Sequence, residues 1–299
     1  MEKIYAVSII YTKPCFLCKR GVIWKDSVAG YVVNGLVRIH SLKKSLDKGT
    51  YKISPYANFK VYEPKERDIL STKMKDRVFQ RSFVDNYFYD EMTRSFIYDN
   101  GACQRGRGTE RTRKRLICHL QRFYRKHGTN GYALKGDLTN FFGSTSHDLA
   151  YRSVKKRIDD TWASIESKRI IDSFDNGINP NIGMGLGSQC TQIIQLAVLD
   201  DFDHFIKEVL RIKHYVRYND DFILVHEDKE YLSYCLSEIN KWMSARELKL
   251  NPKKTQIIKL SQGVKFLGFR FRLTETGKSS HDSSPGKDFP SEKKIKEDD

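Results

Sequence analysis

An α/β fold, with antiparallel strands backed by helices, is predicted by three observations. Residues 214–226 hold apolar side chains in alternation on both sides of Asp220 and Asp221, the pattern of a β-hairpin with an acidic tip. Gly131 to Gly136 forms a second apolar run that leads straight into another acid, Asp137. Helical periodicity appears before, between and after these strands, within Arg105–Lys126, after Thr191 toward Leu210, and from Lys229 to Met243. Adjacent carboxylates repel, so the acidic tip reads either as a solvated Asn-Asp turn or as a divalent-cation site that also holds phosphate oxygens.

A chain of 299 residues buries a sizeable core in one large domain or two subdomains. Its formal charge of +16, from 53 Lys and Arg against 37 Asp and Glu, favours a polyanionic partner. Nucleic acid ranks ahead of a membrane surface, because no apolar span or secretory leader is present. Six dispersed cysteines then predict a reduced, cytoplasmic protein. Cys15-Phe-Leu-Cys18 has the spacing of half a zinc knuckle, but with no second pair it reads as ordinary thiols.

Residues 36–46 have a partly helical period, 52–62 read as extended, and 63–67 as the turn that follows. Lys73, Lys75, Arg77 and Arg81 accompany an apolar periodic pattern from Ile69 to Arg81, and most rings between Phe83 and Tyr98 are expected in the core. A glycine-rich turn at 105–108 precedes a basic amphipathic helix. Arg105, Arg107, Arg111, Arg113, Lys114, Arg115, Arg122, Arg125 and Lys126 face the single acid Glu110 there, a composition suited to a nucleic-acid backbone.

Phe141, Phe142 and Gly143 are expected to form a turn, and Ser146-His147-Asp148 to start a discontinuous helical run toward Phe174, with His147 a cap or packing residue. Asp159 and Asp160 read as solvent-facing acids, as do Asp200, Asp201 and Asp203 on the helix after Thr191. The glycines of 183–187 permit close backbone approach but lack the Gly-Lys-Ser or Gly-Lys-Thr ending of a P-loop. Residues 257–260 read as a short strand, 262–271 as a second hairpin, and the polar stretch from Thr276 onward as disordered.

In their order, Lys135-Gly-Asp137-Leu-Thr-Asn-Phe141-Phe142, Gly185-Leu-Gly-Ser-Gln-Cys-Thr191-Gln192, Tyr218-Asn-Asp-Asp221, Lys254-Thr255 and Phe266-Leu-Gly-Phe269 resemble the motif series of bacterial non-LTR-type reverse transcriptases. That group includes the enzymes of group II introns, retrons, diversity-generating elements and antiviral defence systems. The resemblance spans about residues 58–275 and implies a right-hand polymerase: an N-terminal extension (1–57), fingers (58–130), palm and primer grip (131–275) and a polar tail (276–299). The helical thumb expected after the primer grip has no counterpart, which implies truncation, weak processivity or a thumb supplied by a partner. Asn219 stands where that group commonly has Ala, Met or Val, and Thr191 where it has Ser.

The resemblance further implies RNA-directed DNA synthesis with two Mg2+ ions, Mn2+ substituting in vitro, on Asp137, Asp220 and Asp221. Lys65 and Arg67 would contact the incoming triphosphate, Lys254 the leaving phosphates, and Gln192 the template-nucleotide pocket. Asp76-Arg77 resembles the following fingers segment, where Arg77 either faces the ligand or stabilises the fold through Asp76. Phe142 would lie beneath the deoxyribose and exclude a 2′-hydroxyl. Phe266, Leu267 and Gly268 would form the primer grip, and Arg105, Arg107, Arg111, Arg113, Lys114 and Arg115 would hold nucleic acid. Implied partners are an RNA template, a DNA primer or RNA–DNA hybrid and deoxynucleoside triphosphates, with a noncoding RNA or accessory protein in some lineages. Template-independent or protein-primed synthesis and an impaired RNA-binding remnant are the alternatives.

Overall fold

A computed structural model describes residues 7–62, 67–175, 179–185, 187–273 and 279–283. Three N-terminal helices, α1 (Val7–Cys18), α2 (Asp26–Val33) and α3 (Gly35–Asp47), precede an antiparallel hairpin of β1 (Ala57–Val61) and β2 (Arg67–Ser71). Helices α4 (Met74–Phe83), α5 (Tyr89–Thr93) and α6 (Thr109–His127) lead to β3 (Tyr132–Gly136). A helical turn α7 (Phe141–Ser144), then α8 (His147–Lys155), α9 (Thr161–Asp172), α10 (Gln189–Val198) and α11 (Asp200–His204) connect β3 to the hairpin of β4 (His214–Tyr218) and β5 (Asp221–His226). Helix α12 (Lys229–Ser244) and strands β6 (Gln256–Lys259), β7 (Val264–Phe266), β8 (Phe269–Leu273) and β9 (Ser279–Ser283) complete the described chain.

The central sheet runs β4-β5-β3-β6 and is antiparallel throughout. Alternate side chains of a strand point to opposite faces, and here both faces are covered. Leu134, Tyr215, Phe222 and Leu224 pack with Leu232, Ile239 and Met243 of α12 and with Phe202 of α11. Ala133, Val216, Ile223 and Val225 face Leu116, Leu120 and Phe123 of α6, together with Phe266 and Phe271 from the β7-β8 hairpin. Burial on both sides explains why residues 222–225 form an unbroken apolar run. Leu116, Leu120 and Phe123 supply the buried stripe of α6, which ends at Gly128 with φ +61.

Several expectations change. The stretch from Ile69 to Arg81 divides into strand β2 and helix α4, because residues 67–71 pair with 57–61. Phe141–Ser144 closes a helical turn, with Thr145 N donating to Phe141 O at 3.2 Å. The helix expected after Thr191 breaks at Leu199, and a π-helical segment follows at Phe205–Val209. That break turns Asp200 and Asp203 inward, so the reading of them as surface acids is wrong: they are 1% and 0% exposed. Asp200 accepts from Arg157 Nη2 at 2.7 Å, and Asp203 is held by Arg217 and Tyr215. Within the segment expected to be disordered, 279–283 pair with β8 as a strand; 276–278 and 284–299 lie outside the described residues. Asp76 binds Tyr51 Oη and Ser54 N, whereas Arg77 donates to Ser71 Oγ at 2.8 Å, so the two do not brace one another. Ser146 does cap α8, accepting from Leu149 N, and His147 is buried with Nε2 3.0 Å from Gly183 O.

One buried cluster ties α6 to the outer strand of the sheet. Arg115 Nε donates to Asp99 Oδ1 at 2.7 Å, His119 Nε2 lies 3.0 Å from Asp99 Oδ2, and the Nδ1 atoms of His119 and His214 are 3.4 Å apart. Burial pushes His214 down to about 4, and the nearby His119 and Lys207 reinforce it. For Asp99 burial acts upward, but His119 and Arg115 outweigh it and hold the carboxyl at about 2. Between the ordinary histidine value of 6.5 and about 4, the unfolded chain binds a proton at residue 214 that the folded protein does not. Stability from His214 is therefore full above 6.5 and is lost as pH falls toward 4. Asp99 adds a further loss only as pH drops from 3.8 toward 2. His214→Phe, which keeps the edge-on ring contact with Phe123, is expected to flatten the fall of unfolding temperature between pH 7 and pH 4 by one proton's worth of slope. Thermal unfolding across that pH series checks it; an unchanged slope would remove His214 as the titrating group.

Candidate active site

The sheet register brings the acids together. Tyr218 pairs with Asp221 across the β4-β5 turn, and Gly136 pairs with Phe222, so the next step of the ladder sets Asp137 beside Asp221. Gly136 is required there, since a Cβ would stand 2.1 Å from the Phe222 ring. Asn219 takes the left-handed conformation at φ +54, which Asn tolerates better than most residues, and thereby reverses the chain at Asp220. Asp137 is fixed from its other side: its carbonyl accepts from Asn251 N at 2.7 Å, and Leu138 bridges Leu250.

Two lysines answer the carboxylates. Lys254 Nζ lies 2.7 and 2.8 Å from the two oxygens of Asp137, carried there by the turn that Asn251 opens. Lys135 Nζ stands 3.5 Å from Asp221 Oδ1 and donates to Lys265 O at 2.9 Å. The first was expected at the site; the second was missed. Its signal was available, because Lys135 and Asp137 are two apart at a strand end and so share a face.

The lysines do not offset the burial of Asp220 and Asp221. Burial raises Asp221, Lys135 opposes it, and Asp137 and Asp220 add to it, leaving Asp221 at about 7. Burial is likewise the main cause raising Asp220, with Asp137 adding to it and Lys254 opposing. Asp221 Oδ1 is buried and makes no hydrogen bond, its nearest counter-charge being the Lys135 ammonium at 3.5 Å. This oxygen-only donor set, with a loosely answered carboxylate oxygen and mutual repulsion, suits a hard divalent cation such as Mg2+, bound by one or two carboxylates plus substrate phosphates. No three His, Cys, Asp or Glu side chains among the described residues form a cage able to hold an ion by themselves.

Phe142 is half-buried beside fully packed Phe141, with ring centroids 5.9 Å apart, and contributes to the same core cluster as Tyr218. Gln192 is half-buried in the first turn of α10, one residue after Thr191, whose hydroxyl donates to Gly185 O at 2.8 Å and to Ser188 O at 2.9 Å. The extra methyl of Thr191 is accommodated with the residue fully buried. Leu267 and Gly268 form the β7-β8 turn with φ +48 and +85, an arrangement suited to glycine and strained for leucine. Phe266 is 1% exposed and packs into the core beneath that turn. Lys65 lies outside the described residues; the backbone of Arg67 opens β2 opposite Val61.

The basic segment divides in two. Arg107 donates to the carbonyls of Ile97 and Asn100, Arg115 pairs with Asp99, and Lys114 with Glu110. Arg105 stacks on Tyr89, Arg111 on Tyr98 and Arg113 on Phe269. These contacts hold the loop before α6 and the start of β8 in place. Arg122, Arg125 and Lys126, toward the end of α6, are exposed. No helix among the described residues is long and apolar enough to cross a membrane.

Comparison with known proteins places this arrangement. The sequence profile described as "Reverse transcriptase (RNA-dependent DNA polymerase)" matches residues 63–271. No curated protein matches the chain. Among solved structures, apo telomerase from Candida Tropicalis aligns with a TM-score of 0.59 at 13% identity, over 88% of this chain and 54% of that one. Telomerase from Candida albicans, in complex with a TWJ fragment of telomeric RNA, aligns with a TM-score of 0.57 at 11% identity, over 87% of this chain and 50% of that one. The chain thus spans about half the length of these structures. At such identities the likeness concerns the fold: mixed helices around an antiparallel sheet, in the right-hand polymerase arrangement.

Proposed function

Since the chain belongs to the reverse transcriptase (RNA-dependent DNA polymerase) family, we propose that it extends a nucleic-acid 3′-hydroxyl with deoxynucleoside triphosphates on an RNA template. The observation that carries this reading is the convergence of Asp137 with Asp220 and Asp221 at the tips of β3 and the β4-β5 hairpin, with Lys254 on Asp137. The order of the motifs within residues 135–269 supports kinship with the bacterial non-LTR-type lineages.

Asp137 and Asp220 would hold Mg2+, with Asp221 completing the acidic set. The chemistry supplied by a metal bound there would be a lowered pKa of the primer hydroxyl and neutralisation of phosphate charge in the transition state. Burial of the carboxylates in a sparsely solvated site strengthens their grip on a cation. Lys254, whose side chain is 44% exposed, would donate to phosphate oxygens as well as to Asp137. Lys65 and Arg67 would contact the incoming triphosphate, and Gln192 would line the template pocket. Exposed Arg122, Arg125 and Lys126 would contact the nucleic-acid backbone, supplying affinity without sequence reading. Leu267-Gly268 would present backbone to the primer end.

The test is extension of a labelled DNA primer on RNA with Mg2+, beside a reaction without template. Template-coded products are expected. Template-free products would replace this reading with terminal or protein-primed synthesis, and RNA binding with no product would indicate an impaired remnant. Phe142→Ala should raise the use of ribonucleotides relative to deoxynucleotides by about 10-fold or more, as a lost steric exclusion of one hydroxyl would. Competition between ribo- and deoxynucleotides in the same assay measures this, and unchanged discrimination would take Phe142 out of the sugar pocket.

A further inference from the structure

Arg217 lies two residues before Asn219 and is 0% exposed. Its Nε and Nη2 donate to the two oxygens of Asp203 at 2.7 and 2.6 Å, and Tyr215 Oη donates to the same carboxylate at 2.6 Å. Burial pulls Arg217 down, but the Asp203 charge and hydrogen bonds outweigh it, so the guanidinium stays firmly protonated. The remaining nitrogen, Nη1, donates to Asn219 O at 2.9 Å, and Nη2 also reaches Leu196 O at 3.4 Å. The backbone of Arg217 is pinned as well, its N donating to Asp99 O and its O accepting from Gly101 N.

We propose that Arg217 is a positioning residue for the acidic turn, with its guanidinium, locked on Asp203, setting the peptide plane that carries Asp220. The inference deepens the polymerase reading and rests on Asp220 as a metal ligand. The physical reason is the planarity of the peptide bond: the carbonyl of Asn219 and the nitrogen of Asp220 belong to one rigid unit. A donor fixed on that carbonyl therefore fixes the direction in which the chain enters Asp220. Stability alone does not call for a buried ion pair, since well-packed apolar residues commonly replace one at little cost. What apolar residues cannot supply is the forked guanidinium, which satisfies Asp203 with two nitrogens and leaves a third for the turn. The left-handed Asn219 gives this contact something to hold, because φ +54 is a sparsely populated conformation even for asparagine.

Lysine keeps the charge opposite Asp203 but has one ammonium, which cannot span Asp203 and the Asn219 carbonyl in the same geometry. Arg217→Lys should lower kcat for primer extension by about 10- to 100-fold, the scale of a sub-ångström to 1 Å misplacement, with KM for the nucleotide within about 2-fold. The Mg2+ concentration giving half the thermal shift of the nucleic-acid-free protein should rise about 10-fold, a readout independent of activity. Tyr215→Phe removes a hydrogen bond from the same acid yet leaves the Arg217–Asn219 contact, so it should lower the unfolding temperature without moving kcat or the Mg2+ midpoint. Asp203→Glu keeps both charges but shifts the guanidinium, and should behave as Arg217→Lys does.

Unchanged kcat and Mg2+ midpoint in folded Arg217→Lys would overturn the proposal, as would equal losses in Tyr215→Phe. Failure of both Arg217→Lys and Asp203→Glu to fold would assign the pair to stability alone and overturn it too. Absence of DNA synthesis by the parent protein would sink the polymerase reading only, since the metal-induced thermal shifts still decide the role of Arg217.

Discussion

Asp220→Asn is expected to abolish template-directed DNA synthesis, by on the order of 10³-fold or more, while leaving RNA binding intact. The substitution is nearly isosteric and removes one negative charge that interacts with Asp137. Loss of a metal ligand forfeits several kcal/mol of transition-state stabilisation, and each 1.4 kcal/mol is about tenfold in rate. The folded protein should not suffer, because Asp220 is raised chiefly by burial, with repulsion from Asp137 adding to it. Removing its charge relieves that repulsion, so the unfolding temperature without metal should hold or rise at pH 8. Labelled-primer extension, RNA binding and thermal unfolding on the same preparation check the three parts. Incorporation equal to that of the parent would remove Asp220 from the catalytic set.

The second large effect is structural. Asp203→Ala leaves the Arg217 guanidinium buried without its counter-charge and takes away the acceptor of Tyr215 Oη. Breaking such a pair from one side costs about 3–5 kcal/mol. For a chain of this size that corresponds to an unfolding temperature lower by about 10 °C. The double substitution Asp203→Leu with Arg217→Met removes both charges, and part of the lost stability should return, the buried Tyr215 hydroxyl still lacking its acceptor. Synthesis should not return with it, because the Asn219 carbonyl still lacks its donor. Thermal unfolding and primer extension on the single and double variants separate the two effects. Full activity in the apolar double variant would deny the pair any part in shaping the turn.

Periodicity and motif order were enough to read the strand ending at Asp137, the hairpin carrying Asp220 and Asp221, the basic helix after Gly108, and the second hairpin around Leu267-Gly268. These are local matters: alternation fixes a strand, a 3.6-residue period fixes a helix, and turn residues fix where each ends. The three aspartates were legible for the same reason, since each stands at the end of an apolar run.

Partnership, by contrast, was decided in three dimensions. Asp200 and Asp203 look like surface acids on a helix, and only the break at Leu199 turns them into the core toward Arg157 and Arg217. Arg107 and Arg115 sit in a run that reads as nucleic-acid binding, yet one nitrogen of each is engaged within the fold, Arg107 Nη1 by the Ile97 and Asn100 carbonyls and Arg115 Nε by Asp99. The two-residue spacing puts Lys135 on the face of Asp137, but that it answers Asp221 rather than Asp137 follows only from the β3-β5 register. The sequence by itself determined where the carboxylates, the helices and the strands lie along the chain, because those follow from side-chain period and turn chemistry. Which charge answers which, and so what remains free to meet metal and phosphate, depends on distances between segments far apart in sequence, and only the packed sheet and its helices set those distances.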